Sequence, residues 1–229
     1  MNKNLTDILV DDLYELMNES IPEAVLLQTK TCVLDFLGVA LAGESIAGEK
    51  CRKYLNFFDS KQSEATAIGY DRKVSLHNAA FVNGYSAHIT ELDDGHRYCN
   101  VHLGATVIPA VLAAVEHEKL ELGDLLRGVT IGYEAAIRLG RAIQPSHKNL
   151  GFHVSGTCGT IGAAMGISAA LKFSKEQMKN TLSAAVASAA GILEVIEDDS
   201  ELKPYNIGRA CHDGLTAAYV ARAGIKGPN

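Results

Sequence analysis

The chain has 229 residues, of which 47% are apolar and 21% charged, and its 21 Lys and Arg against 27 Asp and Glu give a formal net charge of −6. This composition is typical of a globular protein that buries a sizeable core without needing disulfides or a structural metal. The acidic balance without a basic run argues against nucleic acid as the main partner, although a few cations in one cleft still admit a small anionic substrate.

The N-terminal 20 residues lack the uninterrupted apolar stretch of a secretory signal, and the sequence shows no run that we expect to span a membrane. Five cysteines lie far apart and never in CxxC spacing. This pattern favours reduced thiols with mostly structural roles. We therefore expect a cytoplasmic protein without a membrane partner.

The apolar spacing predicts about eight helices and no series of strands. Apolar residues at steps of three and four predict a first helix over 5–17, and Pro22 opens a second over 23–42 that Gly43 ends. A short third helix is expected over 49–58. The helical period breaks at 65–74, which predicts at most a small hairpin or extended loop.

Helical patterning dominates the rest of the chain. Helices are predicted over 75–90, 104–120, 123–143, 156–173, 174–190 and 208–223, with Ser174 as an N-cap. Trp is absent, and Gly and Ala are abundant after position 104, so we expect helices that approach closely through small facing residues. The expected fold class is all-α, a bundle-like single domain over 1–229.

The segment between the predicted 75–90 and 104–120 helices is the most polar part of the chain. It begins at the helix end with three imidazoles, three carboxylates and a guanidinium within fifteen positions: His88, Glu91, Asp93, Asp94, His96, Arg97 and His102. A histidine beside a carboxylate is held in one tautomer with a pKa near neutrality, as proton transfer at ordinary pH requires. A solvated acidic loop is the alternative, but adjacent Asp93 and Asp94 repel each other unless a positive group lies between them. A metal site is a third interpretation, although no dense ligand spacing such as HExxH occurs.

A second candidate group lies where the predicted 156–173 helix begins. Its glycines are spaced by threes and no strand precedes them, so we discount a dinucleotide site. Small residues on one helical face are explained by close packing. Packing leaves His153, Ser155 and Thr157 unexplained at a helix start, where free N–H groups and the helix dipole favour a bound carboxylate. His153 is a candidate acid, base or anion ligand.

Lys203 and Arg209 form a third candidate group. Because Pro204 pushes the preceding residue toward extended backbone, Lys203 is expected on the approach to the 208–223 helix and Arg209 in its first turn. Two cations at a helix N-terminus oppose the dipole unless an anion lies there. The alternative is a pair of isolated surface cations.

Taken together, these segments resemble the MmgE/PrpD family, which contains 2-methylcitrate dehydratase, cis-aconitate decarboxylase and iminodisuccinate epimerase. The matching stretches keep the expected order along nearly the whole chain: 35–43, 79–96, 102–109, 132–138, 151–157 and 203–208. The resemblance implies a largely helical domain, cofactor-independent lyase or isomerase chemistry on small di- or tricarboxylates, and a homodimer. It also implies active-site roles for the Asp93 region, His102, His153 and Lys203.

The resemblance is incomplete in two respects. Gly95 stands where some members have Thr, and the spacing from Asp94 to His102 is one residue longer than in the decarboxylase type. Decarboxylation of cis-aconitate is therefore the least expected of the three activities.

Family members are also usually twice as long and continue into an α+β lid domain, which adds Lys and Tyr groups to the cleft. We expect a piece of a longer protein, a separately encoded half or a remnant, which does not catalyse unaided. The alternative is a noncatalytic helical subunit that docks a separate lid-bearing chain.

The chemistry expected is proton abstraction beside a carboxylate, with fixed positive charge to stabilise the enediolate. His102, oriented by Asp93 or Asp94, is assigned as base or acid, and His153 as the complementary proton carrier. Lys203, Arg97 and the helix start at Gly156 are expected to hold the carboxylates. The remaining predicted binding residues are Glu91, His96, Ser155, Thr157 and Arg209. No metal and no cofactor are expected.

Overall fold

The computed structural model describes residues 4–58, 62–198 and 200–228. The described residues form nine α-helices and one two-stranded sheet, and 72% of the structure is helical. In chain order the elements are α1 (Leu5–Asn18), α2 (Glu23–Phe57), β1 (Ala65–Ala67), β2 (Arg72–Val74), α3 (Leu76–Ile89), α4 (Gly104–His117), α5 (Leu122–Ile143), α6 (Ser146–Asn149), α7 (Val154–Ala170), α8 (Lys175–Ser188) and α9 (Leu202–Arg222). The all-α prediction is confirmed.

The small hairpin predicted over 65–74 is present. Strands β1 and β2 pair antiparallel, with Ala65 opposite Val74 and Ala67 opposite Arg72. The helix cap predicted at Ser174 is also present, because its hydroxyl accepts a hydrogen bond from the backbone N–H of Gln177.

Helix α2 is continuous, so the predicted break at Gly43 and the separate 49–58 helix are wrong. Gly43 is buried where α2 crosses α3, and a Cβ atom at this position would collide with the backbone carbonyl of Ser86. The glycine permits a close approach between two helices, and it does not end the first of them.

This continuous helix is long and apolar enough to cross a membrane by length and composition, which differs from the sequence expectation. Only 22% of the most apolar 18-residue stretch of this helix is buried within the protein. The buried face nevertheless includes Phe36, Val39 and Ala40 and joins the core. A core helix of a soluble protein passes the same test of length and composition.

Helices α7 and α9 begin earlier than the sequence predicts, at Val154 and Leu202. Lys203 and Pro204 therefore lie in the first turn of α9, and the prediction of extended backbone at Lys203 is wrong. A proline is tolerated in the first turn because its missing N–H has no intrahelical acceptor there. Arg209 lies two turns further along α9, so its predicted place in the first turn is also wrong.

Helix α7 is the centre of the core, and small residues let its neighbours approach it closely. A Cβ atom on Gly132 of α5 would lie 2.7 Å from the carbonyl oxygen of Gly162, and one on Gly166 of α7 would lie 2.8 Å from that of Gly128. The predicted close packing through small residues is thus confirmed. It brings the first residues of α4, α7 and α9 to one end of the bundle, beside the last turn of α3.

Candidate functional site

A cavity of about 220 Å³ lies where α4, α7 and α9 begin. Its walls include His102, His153 and Lys203, three residues that the sequence places in separate segments. Two larger grooves, of about 260 and 320 Å³, lie beside α2 and α5 and contain no imidazole in their walls. Among these three, the smaller cavity is therefore the one in which imidazoles meet a lysine.

The Asp93 carboxylate lies between two imidazoles. Both of its oxygens are 2.9 Å from Nδ1 of His88, and Oδ2 is 3.3 Å from Nδ1 of His102. Burial alone would raise the pKa of Asp93, but the hydrogen bonds from His102 and His88 outweigh burial and hold the pKa at about 2. Asp93 is therefore an anion at neutral pH that accepts hydrogen bonds from both rings.

His88 is a site residue to which the sequence interpretation gave no role. It is fully buried in the last turn of α3, and its ring meets that of His102 edge-on with centroids 4.7 Å apart. Within the described part of the chain its Nε2 atom has no hydrogen-bond partner, and it lies 3.8 Å from Oε1 of Glu91. The available signal was its place five residues before Asp93, at the end of a predicted helix.

His102 is held by three contacts just before α4. Its backbone N–H donates to Oγ of Ser155 at 3.0 Å, and Nδ1 lies 3.1 Å from the backbone carbonyl of Asp94 as well as near Asp93. Because Nδ1 faces only acceptors, the proton belongs on Nδ1 and Nε2 is left to exchange a proton. Burial opposes the charged ring, but Asp93 prevails and raises the pKa of His102 above its ordinary value.

His153 is the N-cap residue of α7 and has the opposite pKa shift. Burial lowers its pKa to about 4, and the nearby basic groups of His88, Lys203 and His102 act in the same direction. The amide of Asn206 donates to Nδ1 of His153 at 3.3 Å, so the proton of the neutral ring belongs on Nε2. The cavity therefore holds one imidazole that favours the charged form and one that favours the neutral form, which is the arrangement expected of an acid–base pair.

Lys203 forms an ion pair with Oε2 of Glu91. The lysine side chain is 23% exposed and that of the glutamate 53%, so the contact lies at the mouth of the cavity. Glu91 follows the end of α3 with a backbone φ of 54°, in the left-handed region.

The carboxylate of Asp94 binds a backbone N–H and a tyrosine hydroxyl, whereas that of Asp93 binds two imidazoles. Its Oδ1 accepts a hydrogen bond from the backbone N–H of Gly104 at 2.6 Å, and its Oδ2 accepts one from the hydroxyl of Tyr133 at 2.7 Å. The side chain therefore satisfies a free N–H at the start of α4, and only its backbone carbonyl reaches the ring of His102.

The other predicted binding residues do not line the cavity. Nδ1 of His96 lies 2.8 Å from Sγ of Cys99, and Oγ1 of Thr157 lies 2.8 Å from Nε2 of His147. Arg97 is exposed. Their roles in binding stay predictions.

Arg209 also lies outside the cavity wall. It pairs with Asp213 at 2.7 Å and donates to the backbone carbonyls of Gly156 and Ala190. The guanidinium therefore ties α9 to the start of α7 through groups of the protein itself.

His88, Asp93 and His102 each offer one ligand atom within 4.8 Å of the others, so this group could hold a metal ion. Contacts of 2.9 and 3.3 Å between the carboxylate and the two rings are also those of charge-assisted hydrogen bonds. Hydrogen bonding accounts for the geometry without an ion, and the expectation of a metal-free site stays a prediction.

Comparison with known proteins gives a family and several relatives. The family model of the MmgE/PrpD N-terminal domain matches residues 9–229. The chain is 28% identical over 233 residues to the "Cis-aconitate decarboxylase-like protein oryM" of Aspergillus oryzae. It is 26% identical over 235 residues to the cis-aconitate decarboxylase of Mus musculus and 27% over 233 residues to that of Homo sapiens. These alignments cover 98–99% of this chain and 47–48% of each relative, so the chain spans about half the length of these relatives.

Proposed function

The chain belongs to the MmgE/PrpD family, and from this membership we propose that it is the helical half of a lyase or isomerase that moves a proton on a small di- or tricarboxylate. The observation that supports this proposal most is that two imidazoles with opposite pKa shifts share one cavity with a lysine. General acid–base chemistry needs a base, an acid and fixed positive charge around one carbon.

His102 is the proposed base. Asp93 fixes its tautomer and stabilises the ring after Nε2 has taken a proton from the carbon beside a carboxylate. His153 is proposed to donate a hydrogen bond from Nε2 to the enediolate oxygen, because its lowered pKa keeps the ring neutral with the proton on Nε2. The proton that His102 has taken is then returned to the product from the His102 imidazolium. Lys203 holds a substrate carboxylate and stabilises the negative charge that develops in the enediolate.

Three reactions would use this set of groups in different geometries. Epimerisation needs the imidazoles on opposite sides of one carbon, whereas dehydration needs one of them to reach a leaving hydroxyl. Decarboxylation needs a proton delivered to the carbon that loses CO₂. We propose dehydration or epimerisation first, because Gly95 and the long spacing to His102 depart from the decarboxylase pattern. The names of the relatives bring cis-aconitate into the set of substrates to be tested.

The proposed enzyme needs more polypeptide than this chain. Large apolar side chains are exposed at Phe152 and Ile196, which line the cavity, and at Leu150, Ile192 and Leu202, which lie within two positions of a lining residue in the chain. An exposed apolar surface of this kind marks an interaction site. A lid domain or a separate lid-bearing chain that covers this rim would exclude water from the cavity, and we propose a homodimer in the cytoplasm as the assembled form. A noncatalytic helical subunit that docks such a chain is the alternative.

Exchange of substrate C–H for C–D in D₂O, followed by NMR, tests the proposal. Citrate, cis-aconitate and succinate are incubated with the protein, alone and with any polypeptide that copurifies with it. We expect exchange into at least one acid, and we expect His102→Asn to slow it about 100- to 10,000-fold. His212→Asn, at a half-buried histidine of α9 away from the cavity wall, is the matched control and leaves the rate unchanged. The absence of exchange in every combination would favour the noncatalytic alternative.

A further inference from the structure

We propose that Glu91 is an internal competitor for Lys203: its carboxylate holds the ammonium group in the ligand-free site, and a substrate carboxylate must displace it. This inference rests on the proposed function and concerns how strongly the site selects polyanionic ligands. It makes Glu91 a specificity-determining residue rather than a direct ligand of the substrate.

The contact geometry supports an exchange of partners. Lys203 lines the cavity, whereas Glu91 reaches it from the loop that follows α3. Both side chains keep some exposure to water, and ion pairs of this kind contribute little net stability. A ligand carboxylate can therefore replace Glu91 on the ammonium group at small cost.

The backbone turns sharply at Glu91, where α3 ends. Its φ of 54° lies in the left-handed region, and its N–H donates to the carbonyl of His88 at 3.0 Å to end the helix. Glycine is the residue that favours this position after a helix.

A second observation concerns the other oxygen of Glu91. Oε1 lies 3.8 Å from Nε2 of His88, a buried nitrogen with no hydrogen-bond partner among the described residues.

The charges in the site determine which ligands depend most on this exchange. Asp93 is a fixed anion, and Glu91 adds a second negative charge near the cavity. Like charges repel a ligand that carries two or three carboxylates more than a ligand that carries one. Removal of the Glu91 charge should therefore strengthen citrate binding more than acetate binding.

Isothermal titration calorimetry with citrate and acetate tests the proposal on the full chain. We expect Glu91→Gln to bind citrate about three- to tenfold more tightly than wild type, with a smaller gain for acetate. Glu91→Gly should give the same gain, and it suits the left-handed backbone if the amide variant folds poorly. The matched control is Glu201→Gln, which removes an acid paired with Lys50 two positions before Lys203 and should change affinity less than twofold.

Lys203→Met completes the design, because it should weaken citrate binding at least tenfold and make the gain from Glu91→Gln clearly smaller in the double variant. Citrate binding that is lost in Lys203→Met but unchanged or weaker in Glu91→Gln and Glu91→Gly would overturn this inference alone. Absence of citrate binding in wild type and in every variant would contradict the proposed function and the inference together.

Discussion

Oδ2 of Asp93 lies 3.3 Å from Nδ1 of His102, and this contact gives the two residues opposite pKa shifts. The pKa of His102 is raised although burial opposes it, and the pKa of Asp93 is held at about 2 although burial would raise it. The contact therefore stabilises the imidazolium form of His102 that proton abstraction would create.

Asp93→Asn should lower the pKa of His102 below its ordinary value of 6.5, because burial and the positive charge of Lys203 then act without the carboxylate. The raised pKa of His102 also makes the stability of the folded protein depend on pH, because protonation of this ring is coupled to folding. In wild type the stabilisation from a raised histidine pKa is fully present below pH 6.5 and is lost as pH rises through the folded-state pKa. Imidazole ¹⁵N NMR titration of both proteins measures the shift. An unchanged His102 titration in the variant would show that Asp93 does not control the ring.

The lowered pKa of His153 predicts that the free energy of unfolding decreases in mild acid. Its pKa is lowered to about 4 by burial and nearby cations, so its stabilisation is present above the unfolded value of 6.5 and is lost as pH falls toward about 4. Between pH 7.5 and pH 5 this group alone should remove about 2 kcal/mol from the free energy of unfolding. Urea denaturation should show this loss in wild type and a loss smaller by about 2 kcal/mol in His153→Gln. Equal pH dependence in the two proteins would contradict the lowered pKa.

Tyr133→Phe should destabilise the fold while it preserves the packing of the ring. The buried hydroxyl donates to Oδ2 of Asp94 at 2.7 Å, and a hydrogen bond to a charged group contributes about 1.5–3 kcal/mol. The control Tyr98→Phe alters a side chain that is 70% exposed and should stay within about 0.5 kcal/mol of wild type. Chemical denaturation compares the two. A Tyr133→Phe effect as small as that of the control would remove this hydrogen bond from the stability of the fold.

Two glycines of α2 give a matched pair of alanine substitutions. At Gly43 a Cβ atom would collide with the carbonyl of Ser86, so Gly43→Ala should cost about 2 kcal/mol or more. At Gly38 nothing lies within 4 Å of an added Cβ, so Gly38→Ala should stabilise the helix by up to about 1 kcal/mol. Opposite shifts of the urea midpoint are expected. Equal tolerance of both alanines would mean that α2 and α3 do not approach as closely as described.

Local sequence patterns were enough for the helical class, the hairpin and the Ser174 cap, because each depends on residues close together in the chain. They were not enough at Gly43, since a glycine that ends a helix and one that permits close packing look alike without the neighbouring helix. Pro204 was misleading for a similar reason. Lys203 and Pro204 both lie in the first turn of α9, where proline is tolerated and the preceding residue keeps a helical backbone.

The candidate site was predictable in its main members and not in its contacts. His102, His153 and Lys203 are found on one cavity wall, as the family resemblance implied. Asp93 binds the imidazoles and Asp94 does not, because Tyr133 and Gly104 occupy the Asp94 carboxylate. These two residues approach Asp94 only in the folded chain. The pairing of Lys203 with Glu91 joins residues 112 positions apart, and no local spacing predicts it.

The shared cavity of His102 and His153 is tested most directly by titrating ¹⁵N-histidine-labelled protein with citrate and following every imidazole by NMR. The signals of His102 and His153 should move together with one apparent dissociation constant, and Lys203→Met should weaken both responses equally. His77 and His212, whose rings lie 5.0 Å apart at the opposite end of α3, should not respond. Stationary His102 and His153 signals, or two different affinities, would contradict a single polycarboxylate site.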